Sequence, residues 1–396
     1  MTDRTAPPRG PIRRIVHYYP TAREDSGVTI ALWAWARAVA ATGREVMILH
    51  GGSETPADRR LGGGTGVASD GVHEQVVQHR GRGRLTARPI GLSRWLQPGD
   101  VLVLHEGWVL SIQVAAAAAR RAGVPYIVMP HGVYDPAWRR YLKPPVSIRE
   151  RAERYLLERA LAVHVFFESE IHDVARVAPR ASFLTVPTGS TVPAERWEGG
   201  GGYLSWVGRY DPVHKGLDVL VEASALIPPD RRPLVRLHGY DFRGGRAELE
   251  RKVAELGLGD RIQVGGVIAG PDKAAFLRLA DGYLHPSRWE SYGIALLENL
   301  ALGVPCLASA TIHLATDLRR DDAAILATPD PRGLADGLVA LAAAPPDLGA
   351  RGRALVERRF AWSSIVPGYL SSLEDLLAAG GPPDRRSRGS SGSPPR

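Results

Sequence analysis

Short apolar runs rich in β-branched residues alternate with longer amphipathic stretches along most of the chain, and this alternation constrains the fold more than any other feature. Strands that alternate with helices build parallel sheets covered on both faces, because each parallel crossover needs a connection long enough to hold a helix. The first series of strands reads Ile15–Tyr19, Glu45–Leu49, Val101–Leu104, Tyr126–Met129, Val163–Phe167 and Phe183–Val186. A loop through Pro20–Gly27 leads into a helix over Ile30–Ala41, which Gly43 ends, and further helices are expected over Trp108–Ala122 and Ile148–Leu161. The Gly- and Arg-rich stretch Gly51–Gly91 carries no assignable pattern.

The alternation breaks at Pro187–Gly202, where Pro193 and the run Gly199–Gly202 suit a linker. It then resumes. Strands are expected at Tyr203–Val207, Leu234–His238, Ile262–Val264, Gly282–Leu284, Pro305–Ala308 and Ala324–Leu326, with helices at Leu217–Leu226, Ala247–Leu256, Lys273–Ala280 and Ile294–Leu302. A length of 396 residues exceeds what one core usually supports, so each series is read as its own doubly wound α/β domain. Residues 381–396 hold Ser, Gly, Pro and Arg without apolar periodicity and are expected to be a disordered tail.

Composition narrows the function classes. No stretch reaches the ~20 apolar residues of a membrane span, and the first ten residues lack the apolar core of a secretory signal. Cys306 is the only cysteine, so no intrachain disulfide can form and a cytoplasmic location is expected. The net charge of +8 is spread along the chain without nucleic-acid-binding motifs; it suits phosphate-bearing substrates and leaves peripheral contact with an anionic membrane open. No Asp-x-Asp pair, zinc spacing or Gly-x-Ser-x-Gly elbow occurs, so neither a metal nor an acyl nucleophile is expected.

Two segments carry chemistry. In Glu290-Ser-Tyr-Gly-Ile-Ala-Leu-Leu-Glu298, two carboxylates lie eight positions apart around an expected helix start. Gly293 permits close backbone approach, and the unpaired N–H groups at Gly293 and Ile294 form a seat for a diphosphate. The carboxylates can accept hydrogen bonds from hydroxyls on either side of such phosphates, although a helix-start Glu290 and a solvated Glu298 would need no ligand. In Gly208-Arg-Tyr-Asp-Pro-Val-His-Lys-Gly216, a strand ends in glycine, and Arg209 and Lys215 stand where two cations can converge on phosphate oxygens. Surface cations in such a loop are commonplace, so this segment gains its weight from the other.

Together the two segments resemble the C-terminal domain of retaining GT-B glycosyltransferases of family four, over Tyr203 to about Leu341, with a looser likeness across the first half. The resemblance implies two Rossmann-like domains facing a central cleft: residues 1–188 on the acceptor side, a linker at 189–202, a donor-binding domain at 203–345, and C-terminal helices at 346–380 crossing back to the first domain. It implies that Arg209 and Lys215 bind the donor diphosphate, with backbone groups after Gly293 assisting. Glu290 would contact the transferred sugar, Glu298 the ribose, and Arg261 and Val267 would flank the base. His131, in a Pro-His-Gly step after a strand, resembles the histidine that meets the donor sugar. His105 and Glu106 could reach the acceptor, and Gly27 resembles the glycine of the first loop. Ser309–His313 departs from the family's usual glycines and Pro-Glu step.

The reaction so implied moves a sugar from a nucleoside diphosphate sugar to a hydroxyl with retention, without metal or protein nucleophile. Bacterial surface glycan, glycolipid or secondary-metabolite synthesis would be its setting. A sugar-nucleotide epimerase or phosphorylase of the same architecture, or a noncatalytic nucleotide-sugar binding protein, remain alternatives. The sequence leaves the oligomeric state open.

Overall fold

The computed structural model describes residues 12–21, 26–51, 66–67, 71–81, 86–139 and 146–380. The chain forms two α/β units, residues 1–186 with 366–396 and residues 187–365. The expected tail, 381–396, lies outside the described residues.

In the first unit the strands are β1 (Arg14–Tyr19), β2 (Glu45–His50), β3 (Gly66–Val67), β4 (Val72–Val76), a small hairpin of β5 (His79–Arg80) and β6 (Arg88–Pro89), then β7 (Asp100–His105), β8 (Tyr126–Met129), β9 (Ala162–Val165) and β10 (Phe183–Thr185). The main sheet has the order β10-β9-β8-β7-β1-β2-β4-β3 and is parallel except at the β3 edge. Strand alternation puts Val16, Tyr18, Leu102, Leu104, Val128 and Val163 on one face, packed with Ile112 and Ala116 of the helix Leu110–Ala122. The other face carries His17, Val103, His105 and His164. Helix Gly27–Ala40 covers it with Trp35, whose ring meets His164 at 5.3 Å and Tyr369 at 4.7 Å. That helix starts three residues before its sequence expectation, because Ser26 already accepts from Ile30 and Gly27 opens the first turn.

The second unit holds β11 (Leu204–Tyr210), β12 (Val235–Asp241), β13 (Ile262–Val264), β14 (Gly282–His285), β15 (Cys306–Ser309) and β16 (Ile325–Ala327), all parallel, in the order β13-β12-β11-β14-β15-β16. From β11 the chain winds outward to β13, then returns to place β14 on the other side of β11. The crevice between the carboxyl ends of β11 and β14 is therefore the switch point of the sheet, where ligands of open α/β sheets bind.

Two segments differ from the sequence reading. Residues 189–202, assigned to a linker, form no strand or helix but are fixed to the second unit: Trp197 donates its amide to Leu302 and its indole N–H to Ala280, and Gly201 donates to Leu279. Backbone hydrogen bonds to loop carbonyls replace those of a regular element. Residues 346–380, assigned as one returning block, divide. Helix Asp347–Leu355 stays with the second unit, with Leu348 in its core and Arg353 bonded to the carbonyls of Ala301 and Pro193, while Val366 onward lies with the first.

Candidate active site

The site of the second unit is built by the loops that leave β11 and β14. After Tyr210 the chain turns through the short helix Pro212–Lys215, capped by Asp211, whose side chain accepts from the His214 amide. Gly216 ends it with φ 65°. A β-carbon there would collide with the carbonyl oxygen of Pro286, so this glycine lets the two loops touch. Arg288 ties them further: its guanidinium grips Asp218 through two bonds of 2.7 and 2.8 Å, and its amide donates to His214 at 3.0 Å. The His214 ring stacks on Trp289 at 4.5 Å.

This packing delivers Lys215 to Glu290. Lys215 Nζ lies 2.6 Å from Glu290 Oε2, with side-chain exposures of 17% and 13%, so the pair is shielded but reachable. His285, at the end of β14, places Nε2 3.5 Å from the same oxygen, at the outer limit of a hydrogen bond. Burial alone would raise the Glu290 carboxyl, but the Lys215 ammonium and His285 outweigh it and hold it well below the usual carboxylate range. Burial also lowers His285. Glu290 is thus ionised at neutral pH, able only to accept hydrogen bonds.

Gly293 precedes helix Ile294–Leu302 with φ 81°, and a β-carbon there would come within 3.2 Å of His285 Nε2. The first amides of this helix have no partner within it, and the helix start lies beside Glu290, whose Cγ is 3.6 Å from that β-carbon position. One turn further on, Glu298 pairs with Lys273 Nζ at 2.7 Å. Arg209 lies close to the group without joining it: its Nη2 is 2.9 Å from His214 Nδ1 and 3.2 Å from Asp211, and its guanidinium covers the Phe242 ring at 4.3 Å. Its Nε is buried and makes no hydrogen bond.

The base-flanking pair is not brought together. Arg261 precedes β13, and its carbonyl accepts from Val235, the first residue of β12. Strand direction therefore sets Arg261 at the amino edge of the sheet, away from the carboxyl ends where Lys215 and Glu290 meet, and the expectation for it is corrected on that ground. Val267 follows β13 at the carboxyl side and is 71% exposed.

In the first unit, His131 follows β8 with φ 54° and is half-buried. Its Nε2 lies 2.9 Å from His105 Nδ1. His105 was expected to reach an acceptor; both its ring nitrogens are instead occupied, the other by His17 Nδ1 at 2.8 Å, and the side chain is fully buried. Glu106 is buried too, at φ 94°, with its amide donating to Met129. Neither presents itself to a ligand. Gly27 is exposed with nothing near its missing β-carbon, so no contact requires a glycine there.

Sequence reasoning missed His285, Lys273 and Trp289 in the second unit, and His17 in the first. His285 had one available signal, its place at the carboxyl end of a strand beside the switch point. The others depend on register and loop packing.

Residues 201–344 match the family of glycosyl transferases group 1, and residues 26–189 match the glycosyl transferase 4-like domain. Among curated relatives, the D-inositol 3-phosphate glycosyltransferases of Thermobispora bispora and Frankia alni are each 27% identical, covering 90% and 91% of this chain and 92% and 97% of their own lengths. Among solved structures, the sucrose-phosphate synthase of Thermosynechococcus elongatus superposes with a TM-score of 0.70 at 22% identity, over 93% of this chain and 100% of that one. Anabaena HepE in complex with UDP does so with a TM-score of 0.73 at 16% identity, over 91% and 100%. The chain is therefore an enzyme of the group 1 glycosyltransferases of family four, built of two Rossmann-like domains in the GT-B fold.

Proposed function

We propose that the chain transfers a sugar from a nucleoside diphosphate sugar to a hydroxyl acceptor with retention of configuration, and that the diphosphate is held on the second unit. The observation that carries this reading is the meeting of Lys215, Glu290 and the start of helix Ile294–Leu302 at the switch point. A cation and unpaired amides are suited to phosphate oxygens, and an ionised carboxylate is suited to sugar hydroxyls. Lys215 and the helix amides would stabilise the charge that develops on the departing diphosphate. No metal is required in this scheme, because fixed positive groups supply what a divalent ion would. Glu298, paired with Lys273, is proposed to hold the ribose, Arg209 to assist the phosphates from beside His214, and Val267 to border the base. His131 is proposed to meet the transferred sugar.

Uridine is the first base to test, since HepE is solved with UDP and with UDP-glucose. A phosphorylated cyclitol is the first acceptor, in view of the relatives named D-inositol 3-phosphate glycosyltransferase. The test is product analysis by mass spectrometry, with donor and acceptor panels and with EDTA present. A glycosylated acceptor that forms only with both substrates supports the reading; release or epimerisation of the sugar without acceptor contradicts it. Retention is read from the anomeric coupling of the product by NMR.

A further inference from the structure

Three histidines of the first unit stand on a diagonal of its sheet. His17 lies on β1, His105 ends β7, and His131 follows β8. In register, His17 sits opposite Val103 and His105 opposite Met129, so each step to the next histidine crosses one strand and climbs two residues. A shift of two keeps His17 and His105 on one face and brings neighbouring side chains within reach. The result is a continuous chain, with His17 Nδ1 at 2.8 Å from His105 Nε2 and His105 Nδ1 at 2.9 Å from His131 Nε2.

Burial keeps these three imidazoles neutral at neutral pH. Burial lowers His17 and His131 to about 3, with His164 adding to both, and drives His105 well below its ordinary value. A neutral imidazole carries one N–H and one bare nitrogen. Two consecutive hydrogen bonds then leave only two consistent arrangements: all three protons on Nδ1, or all three on Nε2. Each fixes the free nitrogen of His131, Nδ1, as a donor or as an acceptor.

The inner end decides between them. His17 Nε2 is buried and makes no hydrogen bond. With protons on Nε2, that atom would be an orphaned N–H; with protons on Nδ1, it is a bare acceptor, which proteins tolerate more readily. We propose that His17 and His105 are positioning residues that hold His131 as its Nδ1–H tautomer, so that His131 offers its ligand a hydrogen-bond donor and cannot act there as a base. The left-handed backbone of His131 fits this role, because strain at a non-glycine residue persists where surrounding contacts over-determine the conformation. The Phe166 ring, edge-on at 5.5 Å, completes the setting. The complementary ligand atom is an oxygen with a free lone pair, such as a sugar hydroxyl in its accepting role.

The test is two-bond 15N–1H correlation NMR of the whole 15N-labelled chain at pH 7 without substrate, with the His131 signals identified by their loss in His131→Gln. The Nδ1–H pattern is expected; an Nε2–H pattern, or an even mixture, overturns the proposal. His17→Leu, two imidazoles away from the ligand, should move His131 toward a mixture and lower kcat about tenfold with little change in the donor KM. His17→Asn, whose amide can donate from the Nδ1 position, should restore both. A folded His17→Leu protein with an unchanged His131 tautomer would also overturn the idea, and if that variant does not fold, the wild-type spectrum decides alone. The kinetic readout rests on the proposed transfer, whereas the spectrum needs no substrate, so failure of one is distinguishable from failure of the other.

Discussion

At the scale of single residues, the second-unit site is an ion pair kept reachable. Lys215 and Glu290 neutralise each other at 2.6 Å while both remain partly exposed, so a ligand can exchange partners with them without uncovering an isolated buried charge. Glu290→Gln keeps the shape and removes the charge. It should lower kcat by about 100-fold or more with the melting temperature little changed, as expected for contacts that strengthen toward the transition state. Lys215→Ala should instead leave Glu290 unpaired, and a compensating rise in the Glu290 pKa should follow; carboxyl 13C titration reads this directly. The sign of the pairing is clear: a carboxyl depressed in the fold contributes stability above its unfolded value, and loses it as pH falls through the folded one.

At the scale of elements, the site depends on loops meeting across the switch point, and Gly216 is where they touch. Gly216→Ala meets both a φ of 65° and the Pro286 carbonyl, so it should cost about 2 kcal/mol or more in urea denaturation and weaken nucleotide binding as well. A variant as stable and as active as the parent would show that the loops need no such close approach.

The sequence shows these elements unevenly. Helices Leu217–Leu226 and Ile294–Leu302 agree with their expectations because apolar spacing and flanking glycines mark them. β4 is invisible in the Gly- and Arg-rich stretch, since Val72–Val76 reads Val-His-Glu-Gln-Val and acquires its identity only by pairing with β2. Motif spacing brought Lys215, Glu290 and Gly293 to attention, and the structure gathers them. Arg261 was assigned to the base from the resemblance of its segment alone, and strand direction sets it at the amino edge instead. The His17–His105 contact spans 88 positions, and register between separate strands leaves no trace in either segment.

At the scale of the whole molecule, the first unit carries a polar seam inside an otherwise apolar sheet face. His17, His105, His131 and His164 all titrate below their unfolded value near 6.5, with His164 at about 4, and burial is the leading cause at each. Between the folded and unfolded values the unfolded chain binds more protons, so stability should fall as pH drops below 6.5. The loss should be about 2 kcal/mol for each of His17, His131 and His164 between pH 7 and pH 5, readable from the urea midpoint across that range. A flat profile would mean that these imidazoles accept protons within the fold. Among the described residues no helix is long and apolar enough to cross a membrane.

The central claim is that Lys215 and the start of helix Ile294–Leu302 hold a pyrophosphate. Calorimetric titration of the full chain with nucleoside diphosphates and the matching nucleosides tests it most directly. One diphosphate should bind with micromolar affinity, its nucleoside far more weakly, and Lys215→Ala should weaken the diphosphate about 10- to 100-fold while leaving the fold intact. Equal binding of nucleoside and diphosphate, or a Lys215→Ala protein that binds as tightly as its parent, would contradict the account.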